Sequence, residues 1–404
     1  MNYIDLKGLK MLPRPKYIDK LNKLRDKQII KVLTGVRRSG KSTILKLYQE
    51  QLLKVGVKQE QIQVLNFEDL GLATITDYLK LYQYIDQRLI PDKMNYIFLD
   101  EIQDIPHFEK VIDSLFIKQN VDLYVTGSNA FMLSGELATL LAGRYIEIPV
   151  YPFSFKEFLA SVPELSHQEA FNRYLERGGF PFATELEDEN TYLSYIQGII
   201  NTVLVKDILA RMQRGNTTLL EHIAAFLTDT NGNLITPTKV ANVLSNNGVK
   251  ATSATVMAYI KKLVDSYLFY RCDRYDIAGK KYLQINNKYY MVDPSLRRAL
   301  LGQKRPNMGN RLEGIIYLEL IRRGYEVYVG NLGKKEVDFV AIRDGIREYY
   351  QVSLTVQNEK TYQREIAPFL EIKDNYPKIL LTEDPGSYDD NGISQVNVID
   401  WLLK

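Results

Sequence analysis

An α/β fold built on a parallel sheet is predicted for this chain by three observations. Short, nearly continuous apolar strands recur through residues 29–150. Helical periodicity fills the intervals between them. A glycine-rich turn, "GVRRSGKST" at 35–43, joins the first strand to the first helix. Apolar strands separated by helices are the pattern of a parallel sheet covered on both faces.

In chain order, "IIKVLT" (29–34) is the first strand and "KSTILKLYQEQLLKV" (41–55) the first helix of this alternation. "IQVLNF" (62–67), "YIFLD" (96–100), "VDLYVTG" (121–127) and "YIEIPV" (145–150) follow as strands. Residues 1–150 are therefore assigned to one core domain. Residues 151–215 lose the strand signal and read as a helical lid, broken at Gly178, Gly179 and Pro181. In 216–300, "TPTKVANVLSNNG" is a helix with a glycine stop, and "TSATVMAYIKKLVDSYLFY" is a capped second helix. A hairpin turning near Ala278-Gly279 comes next, and helix, turn, helix, ribbon is a winged-helix pattern. Residues 301–404 return to α/β, with the helix "RLEGIIYLELIRRG" and strands "YEVYVG", "EVDFVAI" and "REYYQVSL".

Length and composition set bounds. At 404 residues the chain exceeds one ordinary core. It is 45% hydrophobic and 25% charged, as globular proteins are. The N-terminus has no apolar leader pattern, and no run was expected to reach the ~20 apolar residues of a membrane span. A cytoplasmic protein without membrane contact is expected. One cysteine, Cys272, excludes an intrachain disulfide and a thiolate zinc cluster. The net charge of +3 makes no polyelectrolyte of the chain, but residues 231–285 hold eight Lys/Arg against three Asp. Such a patch suits phosphate contact or a solvated face.

The turn at 35–42 fits G-x-x-x-x-G-K-[ST] in full, with an apolar strand before it and a helix after. Gly35 and Gly40 allow backbone angles that point amide N–H groups inward. With Val36, Arg37, Arg38, Ser39 and Thr43 they form a phosphate cradle. Lys41 is expected on the β- and γ-phosphates of ATP and Ser42 on Mg²⁺. "YIFLDE" ends in two carboxylates: Asp100 for the metal through water, Glu101 to polarise the attacking water. Ser128, or Asn129 after it, ends the next strand where a polar group can reach the γ-phosphate. Arg144 either projects into a neighbour's nucleotide site or forms a salt bridge within its own subunit. The first of these would make the protein a homo-oligomer.

Taken together, "TGVRRSGKST", "LNFED", "FLDEIQDIPHFEK", "YVTGSNAFML", "LAGRYIEIPVYPFSFKEF" and "GGFPFA" resemble a family of bacterial and archaeal AAA-type ATPases. Its members carry a C-terminal region of uncharacterised function, and the resemblance covers nearly the whole chain. It implies a P-loop NTPase core, ATP rather than GTP, and the roles given above for Lys41, Ser42, Asp100, Glu101, Ser128 or Asn129, and Arg144. Glu68 and Asp69 match the family's acidic pair.

Two further regions carry expectations. In the winged-helix module, Lys261, Lys262, Arg271, Arg274, Lys280 and Lys281 are expected to meet DNA phosphates, with Tyr289 and Tyr290 close behind. The alternative is that the module packs internally. In the last domain Glu313, Asp338 and Gln351 follow the layout of a restriction-endonuclease-like metal site. That site normally has an acid where Gln351 stands and a lysine where Ser353 stands, so the domain reads as degenerate. Lys378 is a candidate replacement for the lysine. Three functions follow: an ATP-driven motor or switch on DNA, an ATP-gated nuclease, and a nucleotide-dependent scaffold for proteins.

Overall fold

The computed structural model describes residues 3–4, 10–130, 141–212, 215–302 and 307–404. It divides into two compact units. One is Met1–Tyr151 with Asp265–Tyr267; the other is Pro152–Val264 with Leu268–Lys404.

In the first unit α1 (Pro15–Leu24) precedes β1 (Ile30–Thr34) and α2 (Lys41–Lys54). Then come β2 (Ile62–Asn66), α3 (Tyr78–Asp86), β3 (Asn95–Asp100), α4 (Phe108–Phe116), β4 (Val121–Gly127) and β5 (Tyr145–Pro149). The strands pair in the order β2-β3-β4-β1-β5, all parallel. The continuous apolar strands are explained by their alternation. Ile97 and Leu99 of β3 pack into one core with Val125 and Ile112. Tyr96 and Phe98, between them in sequence, pack into the other with Leu33, Ile44 and Tyr48. Thr34 is paired with Gly127, and Leu99 with Val125. The carboxyl ends of β3, β4 and β1 therefore lie side by side, where parallel α/β sheets bind ligands.

The second unit begins with α5 (Phe155–Ser161), α6 (His167–Arg177) and α7 (Glu189–Thr202), the last continued by a wider π turn over Val203–Ile208. Contrary to the expectation from sequence, Glu189–Arg211 is long and apolar enough to cross a membrane, with a mean hydropathy of 1.2. Its apolar side is buried at Tyr192, Ile196, Ile199, Ile200, Val203, Leu204 and Ile208, as in the core helix of a globular unit. After α8 (Thr217–Asp229), α9 (Pro237–Asn246) and α10 (Ser253–Asp265) comes the hairpin of β6 (Phe269–Asp276) and β7 (Lys281–Met291).

The rest of the unit is α11 (Ser295–Leu301), α12 (Met308–Arg322), β8 (Glu326–Leu332), β9 (Lys335–Arg343), β10 (Ile346–Val352), α13 (Glu359–Glu371), β11 (Lys378–Thr382), β12 (Tyr388–Asp390), β13 (Ile393–Asn397) and α14 (Val398–Leu403). The sheet order is β12-β13-β11-β10-β9-β8-β6-β7. The hairpin expected to stand as a wing is thus continuous with the terminal sheet, β6 running parallel to β8 through Arg274 and Val329. Sequence gives the reason: Cys272 and Tyr275 on β6 are apolar, buried partners for that sheet.

The "GGFPFA" motif has a structural account here. The Asp293 carboxylate accepts from the Gly179 N–H at 2.7 Å. A Cβ on Gly178, whose φ is +66°, would fall 1.7 Å from the same carboxylate. Only glycine fits there.

Candidate functional site

The phosphate loop runs from β1 into α2. Gly35 has φ +139°, and a Cβ there would lie 2.1 Å from the Val150 carbonyl oxygen. Gly40 has φ +98°, and Arg38 also adopts a left-handed angle. The loop is braced from below by Arg14, which is buried and donates to the Ser39 and Tyr151 carbonyls, each at 3.0 Å. No sequence motif marks Arg14; its role follows only from the fold.

Lys41 is buried and donates to the carbonyls of Gly35 at 2.9 Å and Val36 at 3.2 Å. It stands 3.6 Å from Glu101. These neutral carbonyls hold the ammonium near the position a phosphate would claim. Two buried hydroxyls beside it, Ser39 Oγ and Ser128 Oγ, make no hydrogen bond of normal geometry among the described residues.

The carboxylates end β3 as the sequence predicts. Thr126 Oγ1 donates to Asp100 and accepts from the Glu101 N–H at 3.0 Å. This neighbouring strand thereby fixes both acids, and fixes Glu101 in a left-handed turn at φ 56°. Thr126 was legible as a polar residue in an apolar strand, but its role was not assigned. Burial raises the Asp100 pKa and Glu101 adds to that, against hydrogen bonds from Thr126 and Ser42 and the charge of Lys41. Burial also works to raise Glu101, but Lys41, Gln103, Arg37 and nearby Ser128 outweigh it, so Glu101 is held below its usual value. At neutral pH Glu101 is therefore a carboxylate able to accept a proton from water.

Most of the other expected residues lie near this centre; Arg144, just before the amino end of β5, lies at the other end of the sheet. Ser128 and Asn129 are both buried at the end of β4. Arg37 is bonded to Glu68 at 2.8 Å, so one acid of the expected pair tethers the loop. Asp69 instead caps a short helical turn through the Gly71 N–H at 2.9 Å. Arg144 forms an ion pair with Asp113 of α4 in its own chain, its guanidinium 5.6 Å from the Phe116 ring centre.

The second unit brings a different cluster together. Lys288 of β7, buried, bridges Glu313 of α12 at 2.9 Å and Glu336 of β9 at 2.7 Å. Tyr290, on the same face of β7, donates to Glu313 at 2.5 Å. Asp338 accepts from the Val352 N–H at 2.8 Å, while its own N–H donates to Gln351 at 3.2 Å. Gln351 in turn donates to Glu365 at 3.1 Å. Burial and then Glu313 push the Asp338 pKa well up, against Lys288 and the Val352 N–H. So Glu313, Asp338 and Gln351 form one cluster.

Three expectations need correction. Lys378 does not serve this cluster: its ammonium donates to the Asp374 carbonyl at 2.9 Å, and Lys288 is the lysine present. Tyr289 and Tyr290 are buried and unavailable to bases. Arg274 is bonded to Asn331 of β8 because the hairpin is part of the sheet, while Arg271, exposed, is paired at 2.9 Å with Asp273 of its own strand. Lys261, Lys280 and Lys281 are exposed.

A strand–loop–helix cradle carrying lysine, followed by paired carboxylates on a nearby parallel strand, defines a P-loop ATPase domain. The comparisons agree. Residues 27–159 match the family described as an AAA domain, and 168–307 match a domain of unknown function. An uncharacterised protein of Haemophilus influenzae is 40% identical over 98% of this chain and 99% of its own. One from Methanocaldococcus jannaschii is 27% identical, over 92% of this chain and 85% of its own. The chain belongs to the same family as the H. influenzae protein, and within it residues 27–159 carry the AAA-domain match. A Walker-type ATPase of Pyrococcus abyssi has a distant structural likeness, with a TM-score of 0.48 and 14% identity over 74% of this chain and 98% of that one. At that distance it carries no argument.

Proposed function

We propose that this protein hydrolyses ATP with Mg²⁺ and uses the cycle to change conformation while engaged on DNA. The observation that carries hydrolysis is Glu101, a buried carboxylate held charged 3.6 Å from Lys41 and fixed by Thr126. Lys41, released from the Gly35 and Val36 carbonyls, would bind phosphate oxygens, and the loop amides would bind the rest. Glu101 would take the proton of the attacking water. Mg²⁺ fits the donors present, since Ser42 and Asp100 are hard oxygen donors hydrogen-bonded to each other and would hold it. When bound, it would neutralise charge on the phosphates. The Ser39 hydroxyl, buried without a hydrogen-bond partner among the described residues, supports a ligand in this cradle.

DNA engagement is supported by Lys280 and Lys281 at the tip of the β6–β7 hairpin and by Lys261 on α10, all exposed. Self-association through Arg144 and a cytoplasmic location belong to the same proposal. The test is steady-state ATP hydrolysis with and without duplex and single-stranded DNA, at low and moderate salt. Stimulation that falls steeply as salt rises is expected. Turnover indifferent to DNA would replace DNA with a protein partner. Absence of turnover would overturn the hydrolytic reading.

A second reading, metal-dependent nuclease activity in the second unit, is favoured by one observation. Lys288 stands where Glu313 and Asp338 converge, restoring a lysine that Ser353 does not provide. Metal-dependent cleavage of DNA, lost in Asp338→Ala, would establish it; no cleavage with Mg²⁺ or Mn²⁺ would dismiss it.

A further inference from the structure

We propose that a cavity within the second unit binds a phosphate dianion, free or as the head of a small monoester. The cavity measures about 130 Å³, and its walls include Arg297, Arg311, Asp229, Met291, Ile315 and Leu318. A cavity of roughly 150 Å³ holds a benzene-sized molecule, so this one has room for a five-atom oxyanion.

The case rests on charge. Four arginines gather around this part of the unit, and three have a carboxylate in reach. Arg177 lies 3.6 Å from Glu189, Arg297 3.8 Å from Asp229, and Arg298 3.5 Å from Glu176. Arg311 differs. Among the described residues it has no carboxylate at ion-pair distance, and its one hydrogen bond is a long one, 3.5 Å to the Leu175 carbonyl. Its Nε is buried without an acceptor and the side chain lines the cavity. Burial, then the neighbouring Arg297, lower its pKa against the more distant charge of Glu176.

Arg311 is half-buried, and its Nε–H, closed off from water without an acceptor, is costly, which favours an anion beside it. The planar fork of arginine matches an oxyanion, two N–H groups to two oxygens. Arg297 on the same wall is balanced by Asp229, which also lines the cavity, so the uncompensated charge there is that of Arg311, and the second charge of a phosphate dianion falls to the N–H donors of the wall. Met291, Ile315 and Leu318 line the cavity with apolar surface that strengthens the attraction. The site is separate in sequence from the phosphate loop and does not depend on the ATPase reading.

The test is a titration of the full chain with inorganic phosphate, following arginine Nε–H resonances by NMR. It is done in the Lys41→Ala background, so that the phosphate loop contributes little. The Arg311 resonance should move saturably, with a dissociation constant of about 1 mM or tighter. Arg311→Gln should weaken phosphate binding about tenfold or more, and Arg311→Lys by less, because lysine keeps charge without the fork. Glycerol phosphate binding more tightly than inorganic phosphate would identify a monoester head; the reverse would identify the free ion. An Arg311 resonance unmoved at about 20 mM phosphate would overturn the proposal. So would equal affinity in Arg311→Gln. Should that variant fail to fold, the titration of the Arg311 resonance still decides.

Discussion

Lys41 and Lys288 are both buried lysines set among carboxylates, yet the molecule holds them in opposite ways. Lys41 rests on two neutral carbonyls and stands 3.6 Å from Glu101, outside hydrogen-bond distance. Lys288 is bonded to Glu313 and Glu336 at 2.9 and 2.7 Å. Burial alone would lower the Lys288 pKa, but Glu313, Asp338 and Glu336 outweigh it and raise it. A lysine on carbonyls can leave for a better acceptor. A lysine between carboxylates holds them together, and removing it leaves their charges facing one another. The first arrangement suits a ligand that comes and goes; the second suits a fixed charge balance.

This contrast predicts different losses. Lys41→Ala should lower ATP turnover about a hundredfold or more, since it removes a donor aimed at developing phosphate charge. Its thermal stability should change little. Lys288→Met should do the reverse, costing about 3 kcal/mol or more of stability, because breaking a buried ion pair strands its partners. Denaturant melts would read this, and Glu313→Gln in the same background should restore part of the loss. If Lys288→Met were neutral in stability, the two lysines would not differ as argued. The Lys288 contribution should also be flat near neutral pH. Its folded pKa lies above the unfolded value of 10.5, so the stabilisation is fully present below that value.

The two clusters also differ in how far the sequence reveals them. The phosphate loop is contiguous, and its carboxylates end an apolar strand, so residues 35–43 and 100–101 could be placed before any fold was known. Lys288 meets Glu313 across 25 positions and Glu336 across 48, through a sheet whose order no local pattern gives. A hint existed: Lys288 and Tyr290 are polar-tipped residues spaced to share one face of a strand. The same blind spot explains the hairpin, whose basic composition suggested an exposed wing. Its buried residues Phe269, Cys272 and Tyr275 bind it into the sheet instead. Arg14 was illegible because its acceptors, the Ser39 and Tyr151 carbonyls, are backbone atoms brought close only by folding.

Asp293 extends the comparison to a buried acid without a lysine. Its acceptors are satisfied by the Gly179 and Ser295 N–H groups, at 2.7 and 3.0 Å. Burial still raises its pKa from 3.8 to about 6, against hydrogen bonds from Ser295 and Gly179 and the charge of Arg322. A carboxyl whose folded pKa exceeds its unfolded value contributes stability below the unfolded pKa and loses it as pH rises through the folded one. Two pKa units correspond to about 3 kcal/mol. Stability measured from pH 4 to 7 should therefore fall by about that amount more in the wild type than in Asp293→Asn. Equal slopes would mean that backbone N–H groups offset the burial fully.

Arg144 marks the weak end of the series, and its small structural effect makes it informative. Its side chain and that of Asp113 are 44% and 36% exposed. Such a pair contributes at most about 1 kcal/mol, so Arg144→Ala should barely shift the melting temperature. If the pair with Asp113 is its whole role, Arg144→Ala and Asp113→Ala should alter turnover equally and slightly. If Arg144 instead serves a neighbour's nucleotide, the two variants should diverge. Arg144→Ala would then lose about a thousandfold in turnover, as expected for a missing arginine finger. Asp113→Ala would keep turnover or gain it, because it frees the guanidinium. Wild-type specific activity would then rise with protein concentration, whereas that of Arg144→Ala would not. The charge least important to the fold is thus the one whose removal best tests self-association.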